Sequence, residues 1–433
     1  MTSNNGLFNA SYLTLAALGL LLPGCSGEPS AEGVAAQETY YQNIKPLVDL
    51  KCSGCHQEGG VGPFPLTTYE EVSSRKDLAL HTVESRTMPP WPPAQDCADL
   101  NYDRALSEEE IALFGRWVKA GAPAGDPKAA APPVKPATAD LPRVDRTLTM
   151  KEAYTPKVSP DDYRCFLLDW PEATTRYITG MSLAPGNESM IHHMIAFLAK
   201  PDKVAEYQML DDADPGPGYE CFGGPGGELL SWLGGWVPGS LETELPEGAG
   251  MEVPAGSKII MQLHYNTLTT PPVPDQTSLE LMLEDTVEKP AFIIPFANPQ
   301  WMQSQTMDIP ANSKDVVHSF QRDPALFFNF LTDGAIAGTK PVTIYRTGLH
   351  MHTRGTQAKI EVVRAGGQSE CLLDIPRWNF HWQGMYEYKQ PKAWSPGDEL
   401  RLECHYDNLT STDMNWGEGT LDEMCLGTVL VTE

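Results

Sequence analysis

Two patterns of side chains in this sequence can do redox chemistry. The first is the run Cys52-Ser53-Gly54-Cys55-His56, two thiols and an imidazole at the spacing that covalent attachment of a c-type haem requires. Each thiol can add to one haem vinyl group, and His56 is placed to become an axial ligand of the iron. A redox dithiol or half of a zinc site would share the Cys-x-x-Cys part, but no second such pair follows to complete a zinc cage. Met88, in Thr87-Met88-Pro89-Pro90-Trp91, stands where a second axial ligand is expected, with His81 as its competitor. The second pattern lies among the ten histidines, which include three tight groups: His192-His193-Met194, His264-Tyr265-Asn266 and His350-Met351-His352. On a strand, residues i and i+2 share a face, so His350 and His352 can offer both rings to one ion. Adjacent His192 and His193 cannot do so from a regular strand, which predicts a bulge or strand end there.

These residues need elements to hold them. Around the Cys-x-x-Cys-His run, Tyr40 to Leu50 is amphipathic, and Ser107-Glu108-Glu109-Glu110 forms a capping box ahead of Ile111, Phe114, Trp117 and Val118. Residues 36–125 resemble a small all-α cytochrome c domain of the class I type. From Ala120 to Pro142 the chain turns rich in Ala and Pro, and 126–145 reads as a semi-rigid linker that leaves docking of the haem domain open. Beyond it, short apolar stretches such as Tyr177 to Leu183, Lys258 to Leu263, Thr343 to Leu349 and Glu399 to Leu402 alternate with Pro/Gly-rich turns, the signature of an all-β region. That region is longer than one sandwich normally takes, so it is divided near Pro290 into domains 146–290 and 291–433.

At the other end, an apolar run from Tyr12 to Leu22 is too short to span a bilayer and leads into Pro23-Gly24-Cys25. Residues 1–25 resemble a bacterial lipoprotein signal, with Cys25 lipidated and 26–35 as a tether, although no Lys or Arg precedes Cys25. An ordinary cleaved signal is the alternative. Together with the haem motif this implies a bacterial cell-envelope protein facing the periplasm, at the outer membrane or secreted, touching membrane only through a lipid anchor. The six cysteines left after Cys25, Cys52 and Cys55 form an even set suited to disulfides in an oxidising compartment. A formal net charge of −26 argues against nucleic-acid binding and fits a soluble surface for an electron-transfer partner.

The run Asp422-Glu423-Met424-Cys425 completes an ordered series: His-His-Met, Leu-His-Tyr, His-Met-His, then Asp-Glu-Met-Cys. Residues from about 155 to 433 resemble the copper type II, ascorbate-dependent monooxygenases, the group of dopamine beta-monooxygenase and peptidylglycine alpha-hydroxylating monooxygenase. The resemblance implies two all-β, jelly-roll-like sandwich domains and two mononuclear coppers. His192, His193 and His264 would hold the electron-storing copper. His350, His352 and Met424 would hold the oxygen-binding, catalytic copper. It also implies Cys404 as partner of Cys425, and Tyr163-Arg164-Cys165 as the first strand of the first domain. A thioether favours Cu(I) and has little use at zinc or calcium, which supports copper at the Met424 set independently. Three imidazoles with open positions would equally suit a catalytic zinc, the rival for the first set.

The peptide-hydroxylating branch grips its substrate with an arginine and a tyrosine that are Gly348 and Thr428 here, and with an asparagine that is Leu426. Arg346 and Arg354 remain as candidate anion grips. The implied reaction inserts one atom of O2 into a C–H bond of a small organic molecule, with electrons from a periplasmic donor or an ascorbate-like reductant relayed by the fused haem. Two alternatives stand beside it: a non-enzymatic copper and haem electron-transfer or copper-handling lipoprotein, and a zinc hydrolase, for which no general base is visible. His318, His381 and His405 read as packed or surface residues, and Trp378 to Trp382 as sandwich core.

Overall fold

The computed structural model describes residues 37–433, apart from 59, 61, 133, 135–139, 228–230, 242, 269 and 418–421. Cys25, the signal 1–25 and the tether 26–35 lie outside the described residues. Glu38–Glu433 forms one compact unit. It opens with helices that pack around Tyr40, Ile44, Val48, Val72, Phe114 and Trp117. A wide turn at Tyr40–Ile44 runs into Lys45–Lys51, followed by Tyr69–Ser74, Lys76–Glu84 and Glu108–Lys119. The expected capping box is present: Ser107 accepts from the Glu110 N–H while the Glu110 side chain accepts from the Ser107 N–H. Thr68 and Glu71 make a second. Past the last helix the chain folds back, with the Tyr40 N–H and the Trp117 indole both donating to the Pro123 carbonyl.

Everything after Arg146 is dominated by strands. A five-stranded sheet runs in the order Arg146–Thr149, Ser278–Glu284, Arg176–Ala184, Ala249–Val253, Lys289–Pro290, and a four-stranded one in the order Ser313–Arg322, Glu399–Asn408, Gly355–Val363, Ser369–Ile375. Between them extends a nine-stranded sheet: Met385–Trp394, Val342–His350, Leu426–Thr432, Phe292–Phe296, Ser231–Trp236, Ile191–Ala199, Lys258–Asn266, Asp161–Asp169, Tyr219–Glu220. One core joins Leu148, Ile178 and Leu281 to Met194, Ile259 and Leu263; another joins Ile360 and Leu402 to Ile344 and Val429. The two sandwich halves therefore share a sheet that crosses the Pro290 division, at the pair Ile293 and Trp232.

The six remaining cysteines form three disulfides, Cys97–Cys371, Cys165–Cys221 and the expected Cys404–Cys425. The first ties the segment after the Cys52-Ser53-Gly54-Cys55-His56 run to the C-terminal sheet. Around it, Leu100 bridges Tyr388, Asn101 donates to Glu387 through its N–H (2.8 Å) and its side chain (2.7 Å), and Trp91 meets the Tyr386 ring edge-on. The helical segment is thus docked on the strands, a matter the proline-rich linker left open.

Candidate metal and haem sites

His192 and His193 sit at the start of strand Ile191–Ala199, whose register against Lys258–Asn266 slips between Ile191 and His193. That irregularity, expected from the adjacency of the two residues, lets both rings reach His264, the cross-strand partner of His193. The Nδ1 atom of His193 lies 3.3 Å from Nδ1 of His192 and 3.3 Å from Nδ1 of His264. With metal–nitrogen bonds of about 2.0 Å, nitrogens at that separation subtend about 110° at a shared ion, an ordinary coordination angle. His264 donates its Nε2–H to Asp161 Oδ1 at 2.9 Å, which holds the tautomer whose Nδ1 lone pair faces the other two rings. Tyr163 stacks flat on the His264 ring at 4.0 Å and fixes its plane.

Electrostatics prepare the same site. Burial, reinforced by the neighbouring imidazoles, takes His192 down to about 3 and His193 well below its ordinary value. Burial lowers His264 too, against the opposing pull of Asp161. Burial would raise Asp161, and the His264 contact outweighs it, leaving the carboxyl below the usual range. At neutral pH the three rings are unprotonated and free to coordinate.

The second set is assembled differently from the expected strand pair. Val342–His350 ends at His350, so His352 lies just beyond the strand, where Glu423 fixes the backbone by accepting from the N–H of His352 (2.8 Å) and of Arg354 (2.5 Å). The two rings stand 5.1 Å apart, nearly perpendicular. His350 Nδ1 meets Gln383 Oε1 at 2.6 Å and His352 Nδ1 meets the Asp422 carbonyl at 3.0 Å, contacts that orient both rings. Burial, with His352 adding, lowers His350 to about 3. Met424 is 5 % exposed; Tyr406 donates to its carbonyl, and Leu426, two residues on, pairs with His350. His192, His193, His350, His352 and Met424 all border one cavity of about 630 Å3.

Several participants were invisible in the linear sequence. Asp161 and Gln383 orient histidines only because strand register brings them there. His381, read as an ordinary packed or surface residue, puts Nδ1 3.2 Å from His192 Nε2, and Phe380 stacks on His192 while meeting His352 edge-on. Within the run 378–382, Trp378 packs against the sandwich core as expected, whereas Phe380 and His381 bridge the two histidine sets. Arg346 is no anion grip: Glu387 holds its guanidinium at 2.9 and 2.7 Å and the Glu244 carbonyl accepts from it. His405 pairs with Asp315 and Glu403, and His318 bonds the Asp308 carbonyl, as their ordinary roles require.

In the helical segment Cys52 and Cys55 are free thiols. Burial pushes Cys52 up to about 12 and raises Cys55 too, so neither is a thiolate nucleophile at neutral pH. His56 gives its Nδ1–H to the Phe64 carbonyl at 2.9 Å, leaving Nε2 free to ligate, the arrangement a haem axial histidine needs. Gly62 is required beside it, since a Cβ there would lie 2.7 Å from His56 Nδ1. Met88 is half-buried just past helix Lys76–Glu84, whereas His81 is exposed on that helix. Cys55 faces the strands, for a Cβ at Gly239 would lie 3.4 Å from its sulfur, and Arg104 donates to the Gly239 carbonyl.

Residues 332–430, which carry His350, His352 and Met424, match the copper type II ascorbate-dependent monooxygenase C-terminal domain. The comparisons support the copper type II monooxygenase family. DBH-like monooxygenase protein 2 of Mus musculus is 25% identical over 62% of this chain and 43% of its own length. Tyramine beta-hydroxylase of Caenorhabditis briggsae is 22% identical over 61% and 44%, and dopamine beta-hydroxylase of Homo sapiens 24% identical over 62% and 43%. The chain thus spans less than half the length of these copper monooxygenase relatives. Among solved structures, the glycosylasparaginase PNGase F of Flavobacterium meningosepticum aligns at 11% identity, covering 67% of this chain and 96% of its own, with a TM-score of 0.27.

Proposed function

We propose that this chain is a copper monooxygenase that hydroxylates a C–H bond of a small organic molecule with O2, fed with electrons through a haem c held by Cys52, Cys55, His56 and Met88. The observation that carries the reading is the pairing of two donor sets whose residues border one cavity, one purely imidazole and one joining His350 and His352 to a thioether. His192, His193 and His264 would hold one copper, and His350, His352 and Met424 the other. Copper in these sets supplies one-electron steps and activates O2, so that one oxygen atom enters the C–H bond and the other leaves as water, with uptake of two electrons and two protons.

The protein's own part is placement. Asp161 keeps the proton of His264 on Nε2; Gln383 and the Asp422 carbonyl keep those of His350 and His352 on Nδ1. Met424 biases its set towards cuprous copper. Apolar walls keep bulk water from the reacting atoms. Relay through the haem is supported by the contact of Cys55 with Gly239, three residues past strand Ser231–Trp236, whose Trp236 pairs with Met194 beside His193. Three disulfides support export to an oxidising, periplasm-facing compartment, and lipidation of Cys25 rests on the sequence alone.

Metal analysis of haem-loaded protein tests the reading. Two coppers per haem are expected, with Met424→Ala and His264→Ala each losing one. Zinc at either position would overturn it. Reduced protein that reoxidises in air without forming peroxide or hydroxylated product would instead leave a copper and haem carrier.

A further inference from the structure

The cavity between the histidine sets has a chemical character of its own. Its walls carry Met181, Trp232, Leu233, Trp236, Leu245 and Phe327. Among the described residues lining it, the one charged side chain is Arg346, and Glu387 already neutralises it while the Glu244 carbonyl accepts from it. The two positions from which an anion clamp would reach in are small: Gly348 and Thr428 face each other so closely that a Cβ at 348 would lie 2.7 Å from Thr428 Oγ1. The rim is apolar too. Met302 and Phe330 border the cavity at 47% and 77% exposure, and Leu326, one helical turn from Phe330, is 74% exposed. Large apolar side chains left in water beside a cleft mark a surface that meets an apolar ligand.

We propose that the substrate is an uncharged, predominantly apolar molecule, aromatic or alkyl, taken up over the Met302–Phe330 rim. An ammonium or carboxylate group entering this cavity would give up its hydration and, among the described side chains that line it, find no counter-charge that is not already paired. Neutral apolar groups lose nothing by the move and gain the contact area of the walls. The inference rests on the monooxygenase reading for what happens to the substrate, but its binding can be tested without turnover.

Full-length protein is titrated with the neutral fluorescent probe N-phenyl-1-naphthylamine, which is then displaced by propylbenzene, phenethylamine or 3-phenylpropionate, matched in ring and differing in charge. Propylbenzene is expected to displace the probe at a concentration at least about tenfold below that of either ion. Gly384→Leu, whose new Cβ would meet only Val237 Cγ2 at 3.8 Å and so grows into the cavity, should weaken probe binding at least about tenfold. Met302→Asp at the exposed rim should weaken it severalfold. Displacement by the amine or the carboxylate as readily as by propylbenzene would overturn the proposal, as would probe binding untouched by both variants. Copper content measured on the same samples separates the failures: two coppers with no neutral preference sinks the substrate class alone, whereas protein that takes up no copper sinks the monooxygenase reading.

Discussion

Asp161→Ala offers the sharpest separation of the two donor sets. Asp161 is the acceptor for His264 Nε2–H at 2.9 Å and also accepts from Asn266 Nδ2 at 2.8 Å, with its side chain 24% exposed. Removing it frees the His264 ring to flip and lets the proton move to Nδ1, the atom that faces His192 and His193. Loss of an oriented carboxylate partner costs about 10- to 100-fold in metal affinity, or about 1.4 to 2.7 kcal/mol. Stacking of Tyr163 on His264 remains, so the lower half of that range is expected, and Asp161→Asn, which keeps an acceptor, should fall between the variant and the parent. The assay is titration of metal-free protein with Cu(I) against a chromogenic chelator. One copper should weaken by the stated factor while the other, assigned to His350, His352 and Met424, stays within twofold. Equal weakening of both coppers, or none at either, would refute the assignment of His264 and its carboxylate to a separate set. His381→Ala should cost less than Asp161→Ala, because His381 is exposed and water can replace it at His192 Nε2.

Three further outcomes follow from the fold. Cys97→Ser, which removes a link between residues 274 apart in sequence, should destabilise the docked unit by about 2–4 kcal/mol, read as a lowered urea midpoint relative to the parent under non-reducing conditions. His405 is held above its ordinary value because the hydrogen bonds it donates to Asp315 and Glu403 outweigh its burial, so it contributes stability that is complete below the unfolded value near 6.5 and vanishes as pH rises through the folded one. His405→Gln should therefore lower Tm more at pH 5.5 than at pH 9, and an equal loss at both would refute the pairing. Trp117→Ala removes a fully buried ring that also bonds the Pro123 carbonyl and should cost about 3–5 kcal/mol, measured by denaturant unfolding of the full chain.

Features carried by neighbours in sequence were legible; those created by strand register were not. The Cys-x-x-Cys-His run, the Ser107 capping box and the bulge at His192 each depend on a handful of consecutive residues, and local sterics dictate them. Asp161 is remote from His264 in sequence and becomes its partner because strands Asp161–Asp169 and Lys258–Asn266 pair antiparallel. Gln383 and His381 arrive on the turn before strand Met385–Trp394, a placement that the aromatic run around them disguised as core. Arg346 looked available because its neutralising partner, Glu387, sits on an adjacent strand. The shared nine-stranded sheet escaped notice for a similar reason, since a single residue pair, Ile293 with Trp232, carries it across the division near Pro290.

The bond between Cys97 and Cys371 also sets a timetable for the cell. Its second sulfur emerges only when most of the chain has been made, so the amino-terminal helices cannot be locked in place until the carboxy-terminal strands exist. During that interval Cys52 and Cys55, which stay free thiols in the folded unit, coexist with six cysteines destined to pair and must be kept out of mispairing with them. Folding of this protein is thus a sorting problem among the eight cysteines of the described residues, solved in the right order or not at all.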